Sequence, residues 1–185
     1  MNYDLIREAT RLLLKGLEVD VTGSDFVDTP TRVSEVYREM FEPEETSWAV
    51  FDEDYTDMVL VRGHVMFTLC PHHLLPVRLV ISLAYLPEGR VLGASKLIRV
   101  MHAANSYPRT QEALTSEILC QLRQKLGAVY SAGEAILVRG THGCMQLRGV
   151  RTSADLTTLR FAGKFEEDRE LQSRFLDLVK ACPIA

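Results

Sequence analysis

The chain contains no apolar run approaching the ~20 residues that cross a bilayer, and Met1-Asn2-Tyr3-Asp4 lacks the basic-then-apolar order of a secretory signal. A membrane span is not expected, and the cytoplasm is the expected location. Nor is there an excess of positive charge: 21 Lys and Arg stand against 25 Asp and Glu, for a net charge of −4. That balance recruits neither nucleic acid nor an anionic membrane, so an anionic substrate needs a local basic pocket. Cysteine is scarce. Cys70, Cys120, Cys144 and Cys182 are scattered, with no signal segment before them, and make no disulfide framework. Internal repeats, low-complexity tracts and an interdomain linker are missing too, which argues against solenoids and separate domains.

What is present is an ordinary globular composition, 46% hydrophobic and 25% charged over 185 residues, enough for one domain with a real core. Between Asp4 and Leu17, the residues Leu5, Ile6, Ala9, Leu12, Leu13 and Leu17 form a helical stripe. Asp28-Thr29-Pro30 opens a second helix, with Thr29 as its cap and Val33, Val36, Tyr37 and Met40 on one side. Glu42 to Asp57 is acidic and aperiodic and reads as a connecting loop. Met58 to Leu69 and Val77 to Leu86 read as strands, and Pro87-Glu88-Gly89-Arg90 turns the chain out of the second. Ser95 to Asn105 and Thr110 to Leu126 read as helices, the latter burying Leu114, Ile118, Leu122 and Leu126. Cys120 in that helix is expected to be packed, and Cys182 in the tail exposed. Glu134 to Arg139 and Leu156 to Ala162 read as short strands. Glu166 to Val179 closes with a helix carrying Leu171, Phe175 and Leu178 on one face.

The order strand, strand, helix, helix, strand, strand after two helices points to an α+β fold. It is an antiparallel four-stranded sheet with two helices on one face, preceded by N-terminal helices. The expected division is residues 1–56 for the N-terminal helices and loop and 57–185 for the sheet domain, working as a single unit. A small open sheet exposes its edges, and pairing them with other subunits would protect them.

Two segments far apart in the chain each join cysteine to histidine: Cys70-Pro71-His72-His73 and Thr141-His142-Gly143-Cys144-Met145. Cys and His are the ligands that borderline-soft Zn²⁺ prefers. Pro71 breaks the strand at once, so Cys70 and His73 can reach one ion while His72 points elsewhere, and Cys144 would be the third ligand. Three protein ligands leave a position for water, as in catalytic zinc sites, with His72 and His142 as spare imidazoles suited to moving protons. A structural zinc site would need a fourth protein ligand, which one of those histidines would supply. Nearby lies a basic and polar set. Lys96 and Arg99 share a helix face and, with Ser95 at the helix start, suit phosphate. Glu112 suits an amide-and-amine edge such as that of guanine, and Arg148 adds a cation.

These residues resemble the GTP cyclohydrolase I family. Thr29-Pro30-Thr31-Arg32-Val33 resembles its TPxRV, Cys70 to His73 its CEHH, and Gly93 to Arg99 its GLSKxxR. Gln111 to Thr115 resembles QERLT, His142 to Met145 resembles HxCM, Arg148-Gly149-Val150 its RG(V/I), and Gly163-Lys164-Phe165 its GxF. The resemblance implies a tunnelling fold and a ring-shaped homo-oligomer, a decamer of two stacked rings, with active sites shared between subunits. It implies Zn²⁺ on Cys70, His73 and Cys144, and hydrolytic opening of the GTP purine at C8 with His72 and His142 as proton carriers. Formate would leave and 7,8-dihydroneopterin triphosphate form, a step of pterin and tetrahydrofolate biosynthesis. Glu112 with Gln111 would anchor guanine. Ser95, Lys96, Arg99 and Arg148, with Arg32 of a neighbouring subunit, would bind ribose and triphosphate.

Three departures qualify the pattern. Pro71 replaces the acidic residue of CEHH, Glu35 stands where the family has a basic residue, and Tyr107-Pro108-Arg109 replaces a basic-x-Gln segment. They leave open a less phosphorylated nucleotide or another purine as substrate, or a purine-binding ring protein without turnover. A related NADPH-dependent nitrile reductase would need a nucleophilic Cys with an acidic partner and no zinc, which the histidines beside both cysteines oppose.

Overall fold

The computed structural model describes residues 1–42, 48–126 and 130–180, which leaves Cys182 outside. The chain divides into two compact units, Met1–Pro43 and Glu44–Ala185.

In the first unit, helix α1 (Tyr3–Gly16) starts where the Asn2 side chain accepts the Leu5 N–H at 3.1 Å, satisfying one first-turn donor. Helix α2 (Thr29–Phe41) has Pro30 in its first turn. Its cap position falls to Asp28 rather than Thr29, and Asp28 makes no capping hydrogen bond; its carboxylate lies 3.3 Å from the Arg32 guanidinium instead. Thr10 and Leu14 are buried on α1, and Pro30, Ser34 and Phe41 on α2. Most of the α1 stripe is not buried: Leu5, Leu12, Leu13 and Leu17 are 60–63% exposed, and Val36 of α2 is exposed too. A helix paired with a single neighbour buries a narrow seam, and a wide apolar stripe overflows it.

The second unit begins within the segment expected as loop. Strand β1 (Val50–Asp52) pairs antiparallel with β4 (Arg90–Leu92), Asp52 meeting Arg90 at 2.7 Å. Val50 and Phe51 supply the β-branched and aromatic residues that such a short strand needs. The main sheet has the antiparallel order β2 (Val59–Leu69), β3 (Pro76–Pro87), β5 (Ser131–His142), β6 (Leu156–Gly163). Helices α3 (Ala94–Ala104) and α4 (Gln111–Leu126) lie between β4 and β5 in the chain. After β5 come the single-turn α5 (Gly143–Leu147), then β6, α6 (Lys164–Glu167) and α7 (Arg169–Lys180).

The period-two alternation of the strands sorts the core into two layers. Leu79, Ile81, Leu83, Tyr85, Ile136 and Val138 pack with Leu97, Val100 and Met101 of α3 and the expected α4 stripe. Ala84, Leu86, Ala135 and Leu137 face the other way and meet Phe165, Phe175 and Val179 of α6 and α7. The four strands with two helices on one face are therefore as expected, with the last helices covering part of the second face. On α7 the inward partner of Phe175 is Val179, while Leu178 is exposed. Cys120 is exposed rather than packed. It follows Ile118 and Leu119 around the α4 axis onto the solvent side, where Gln124 Nε2 lies 3.4 Å from its sulfur. Truncating the fully buried Phe175 to Ala would cost about 3–5 kcal/mol.

Candidate active site

Residues 70–75 close the hairpin between β2 and β3. The Cys70 carbonyl accepts the N–H of Leu74 at 2.8 Å and of His73 at 3.4 Å, and the Cys70 N–H donates to Leu75 O at 2.9 Å. Leu74 takes a left-handed φ of 53° to complete the turn. This folding back carries His73 Nδ1 to 3.6 Å and His72 Nδ1 to 3.7 Å from the Cys70 sulfur. Cys70 is buried, and both histidines are exposed.

The third donor arrives from β5. His142, its last residue, pairs with Val77 at the start of β3. A Cβ on the next residue, Gly143, would stand 2.8 Å from Pro76 O, so glycine alone lets the chain pass that close. Cys144 follows in the first turn of α5, and its sulfur, that of Cys70 and a ring nitrogen of His73 all lie within 4.8 Å of one another. Burial and the adjacent Cys70 sulfur push the Cys144 thiol up. Two thiolates this close repel, and a divalent cation between them relieves the repulsion. Two sulfurs and one imidazole are a donor set that fits Zn²⁺.

Beside these donors, a directional hydrogen-bond chain fixes His142. The amide nitrogen of Gln111, a residue only 3% exposed, lies 3.1 Å from Val138 O, 2.9 Å from Leu156 O and 3.2 Å from Thr158 Oγ1. All three accept, so the nitrogen of the amide must face them and its oxygen must face His142 Nε2, 2.9 Å away. Nε2 therefore carries the proton, and Nδ1 is left with the lone pair. The Thr115 hydroxyl donates to Gln111 O at 2.7 Å, so Thr158 donates to Thr115 at 2.7 Å and its lone pairs remain for Gln111. Burial pushes the His142 imidazole down, with the Glu112 carboxylate opposing.

Arg148 directs its guanidinium at His73 Nε2. A guanidinium only donates, so this contact requires Nε2 to be the acceptor. An ion taken at Nδ1 would put the ring proton on Nε2 and release Arg148. Ser95, Lys96 and Arg99 occupy the first two turns of α3, whose N-cap Gly93 supplies no side-chain cap, although its carbonyl accepts the Lys96 N–H at 2.8 Å; the positive end of the helix favours an anion there. Lys96 is only 9% exposed, Ser95 is exposed and Arg99 half-buried. Glu112 is exposed in the first turn of α4. Arg32 belongs to α2 in the first unit.

The GTP cyclohydrolase I family model matches residues 6–180. The chain belongs to the GTP cyclohydrolase I family. It is 35% identical to a GTP cyclohydrolase 1 of Sulfurihydrogenibium sp. over 179 residues, covering 95% of this chain and 94% of that one. A GTP cyclohydrolase 1 of Allorhizobium ampelinum is 38% identical over 180 residues, covering 93% and 88%, and one of Rhodopirellula baltica 35% identical over 185 residues, covering 97% and 80%.

In this member of the GTP cyclohydrolase I family, two of the departures have local accounts. Pro71 is exposed in the turn, two residues past the end of β2 at Leu69. Arg109 stacks over the Tyr107 ring at 4.1 Å and pairs with Glu117 at 3.0 Å, so that segment secures its own loop to α4. The residues the sequence did not flag are Thr115, Thr158 and Gly140. A Cβ at Gly140 would sit 1.9 Å from Gln111 Oε1, so this glycine makes room for the amide. A glycine just after the apolar run Ala135-Ile136-Leu137-Val138, near the end of the strand, was the available sign.

Proposed function

We propose that this protein hydrolytically opens the imidazole ring of GTP at C8, releasing formate and forming 7,8-dihydroneopterin triphosphate. The observation that carries this reading is the meeting of three S and N donors within 4.8 Å beside an imidazole whose proton is fixed by Gln111. Cys70, His73 and Cys144 would hold Zn²⁺, which supplies Lewis acidity when bound. His142, with Nε2–H committed to Gln111, offers Nδ1 to take up and return a proton, and His72 serves as a second proton carrier. Gln111 acts by holding His142, since its amide hydrogens are occupied within the protein. Glu112 accepts the N1–H and 2-amino hydrogens of guanine. Ser95, Lys96 and Arg99, with the uncapped first turn of α3 and with Arg148 and a neighbouring subunit's Arg32, hold the ribose and triphosphate.

The protein works as a cytoplasmic homo-oligomer, a decamer of two stacked rings. The exposed leucines of α1 and the edges of β2 and β6 support that assembly. The test is formate release from GTP, GDP, GMP and guanosine by zinc-loaded protein, with GTP expected to be the best substrate. His142→Ala is expected to lower turnover by about 10²–10⁴-fold while zinc stays at one per chain. Turnover unaffected by His142→Ala would overturn the assignment, and preference for a less phosphorylated substrate would move it to that nucleotide.

A further inference from the structure

The chain has five histidines. His72, His73 and His142 belong to the site described above, and the other two, His64 and His102, meet each other elsewhere. Their Nε2 atoms are 3.2 Å apart, and the rings stand edge to face with centroids 5.2 Å apart. The pair comes from distant positions that the fold brings together. His64 follows a bulge in β2, where the pairing with β3 shifts between Val61 and His64 and Gly63 takes a left-handed φ of 72°. The extra residues re-aim the side chain at that point. His102 lies in the last turn of α3. Asn105, which ends α3, donates its side-chain N–H to Phe67 O of β2 at 3.0 Å and ties helix end to strand beside the pair.

We propose that His64 and His102 form a second metal site, for a divalent transition ion of the imidazole-preferring kind such as Ni²⁺, Cu²⁺ or Zn²⁺. With metal–nitrogen bonds of about 2.0–2.1 Å, a 3.2 Å separation subtends roughly 100° at the ion, between the octahedral and tetrahedral values. In the empty pair one Nε2–H donates to the other ring's Nε2; on binding, that proton moves to Nδ1 and both Nε2 lone pairs turn to the ion. Partial burial pushes both imidazoles down, which keeps them neutral and able to ligate near neutral pH. Two protein ligands leave the remaining positions to water, so binding is weaker than at a three-ligand centre. The ion clamps β2 to the end of α3, the helix whose other end carries Ser95, Lys96 and Arg99.

The experiment is calorimetric titration of the zinc-loaded protein with Ni²⁺, together with metal analysis and thermal melting. One further equivalent of Ni²⁺ is expected, with zinc staying at one per chain and the melting temperature raised. His102→Ala, at an exposed helical position, is expected to abolish that equivalent and the rise while leaving the zinc and formate release unchanged. Paramagnetic broadening of the His64 and His102 ring signals in the unaltered protein gives a readout independent of any variant. The proposal fails if no second equivalent binds, if Ni²⁺ only displaces the zinc, or if binding survives in a His64→Gln, His102→Ala double variant.

Discussion

The two ends of β5 each bury a polar side chain, and they treat it in opposite ways. At the His142 end, Gln111 finds acceptors for its amide nitrogen and a donor for its oxygen, so a buried amide is fully satisfied. At the Ser131 end, Glu134 is equally buried, at 3% exposure, yet its Oε2 makes no hydrogen bond. The Arg123 Nε lies 3.4 Å away, within ion-pair range but not aligned to donate. Burial pushes the Glu134 carboxyl up, with the Ser131 hydroxyl and then Arg123 opposing. A satisfied buried network fixes one arrangement of its members, whereas an unsatisfied buried charge lowers stability. The first end fixes the tautomer of an imidazole; the second leaves a carboxylate oxygen without a hydrogen bond.

The sharpest way to break this contrast is Gln111→Met, which keeps the volume but removes the amide. It leaves His142 free to take either tautomer. Formate release is expected to fall by about 10²-fold, with KM little changed and zinc retained. The ¹⁵N shifts of the His142 ring, which report the tautomer, should change from an Nε2–H pattern to a mixture. An unchanged pattern would mean that Gln111 does not set the proton. A smaller effect is expected from Gly140→Ala. Its methyl would displace the Gln111 amide at a cost of about 1–3 kcal/mol in stability, with activity falling in parallel with the loss of the His142 contact. Full activity in that variant would show that the amide has room to move.

Much of this was legible in the sequence, for identifiable reasons. The cluster of Cys70, His73 and Cys144 could be read because Cys and His side by side have few other uses, and α4 because its leucines repeat every turn. The hydrogen bonds of Gln111 were not legible. Beside an exposed Glu112 it looked like a partner for substrate, and only the approach of β6 to α4, which brings Thr158 and Leu156 O to its amide, turns it inward. Nor was the partner of the α1 stripe legible, though the helix itself was. Its periodicity marks an apolar face, but periodicity does not say whether that face meets this chain or another. His64 and His102 were unremarkable because a bulge and a helix end, neither visible in a residue pattern, bring them together.

The smallest effect tests the other end. Glu134→Gln removes the buried charge with little change of shape, and exposed Arg123 can rehydrate when its partner is neutral. The folded-state value of Glu134 is raised above the usual 4.5. Its protonated form therefore contributes stability that is fully present below about pH 4.5 and lost as pH rises through the folded value. The wild-type protein and the variant should melt together in acid and diverge above that window. At neutral pH the variant should be more stable by about 1 kcal/mol, or roughly 2–4 °C for a chain of this size. Melting curves across that range decide the point. If the variant instead melts lower at neutral pH, Arg123 compensates the carboxylate after all, and the two ends of β5 are alike in satisfying what they bury.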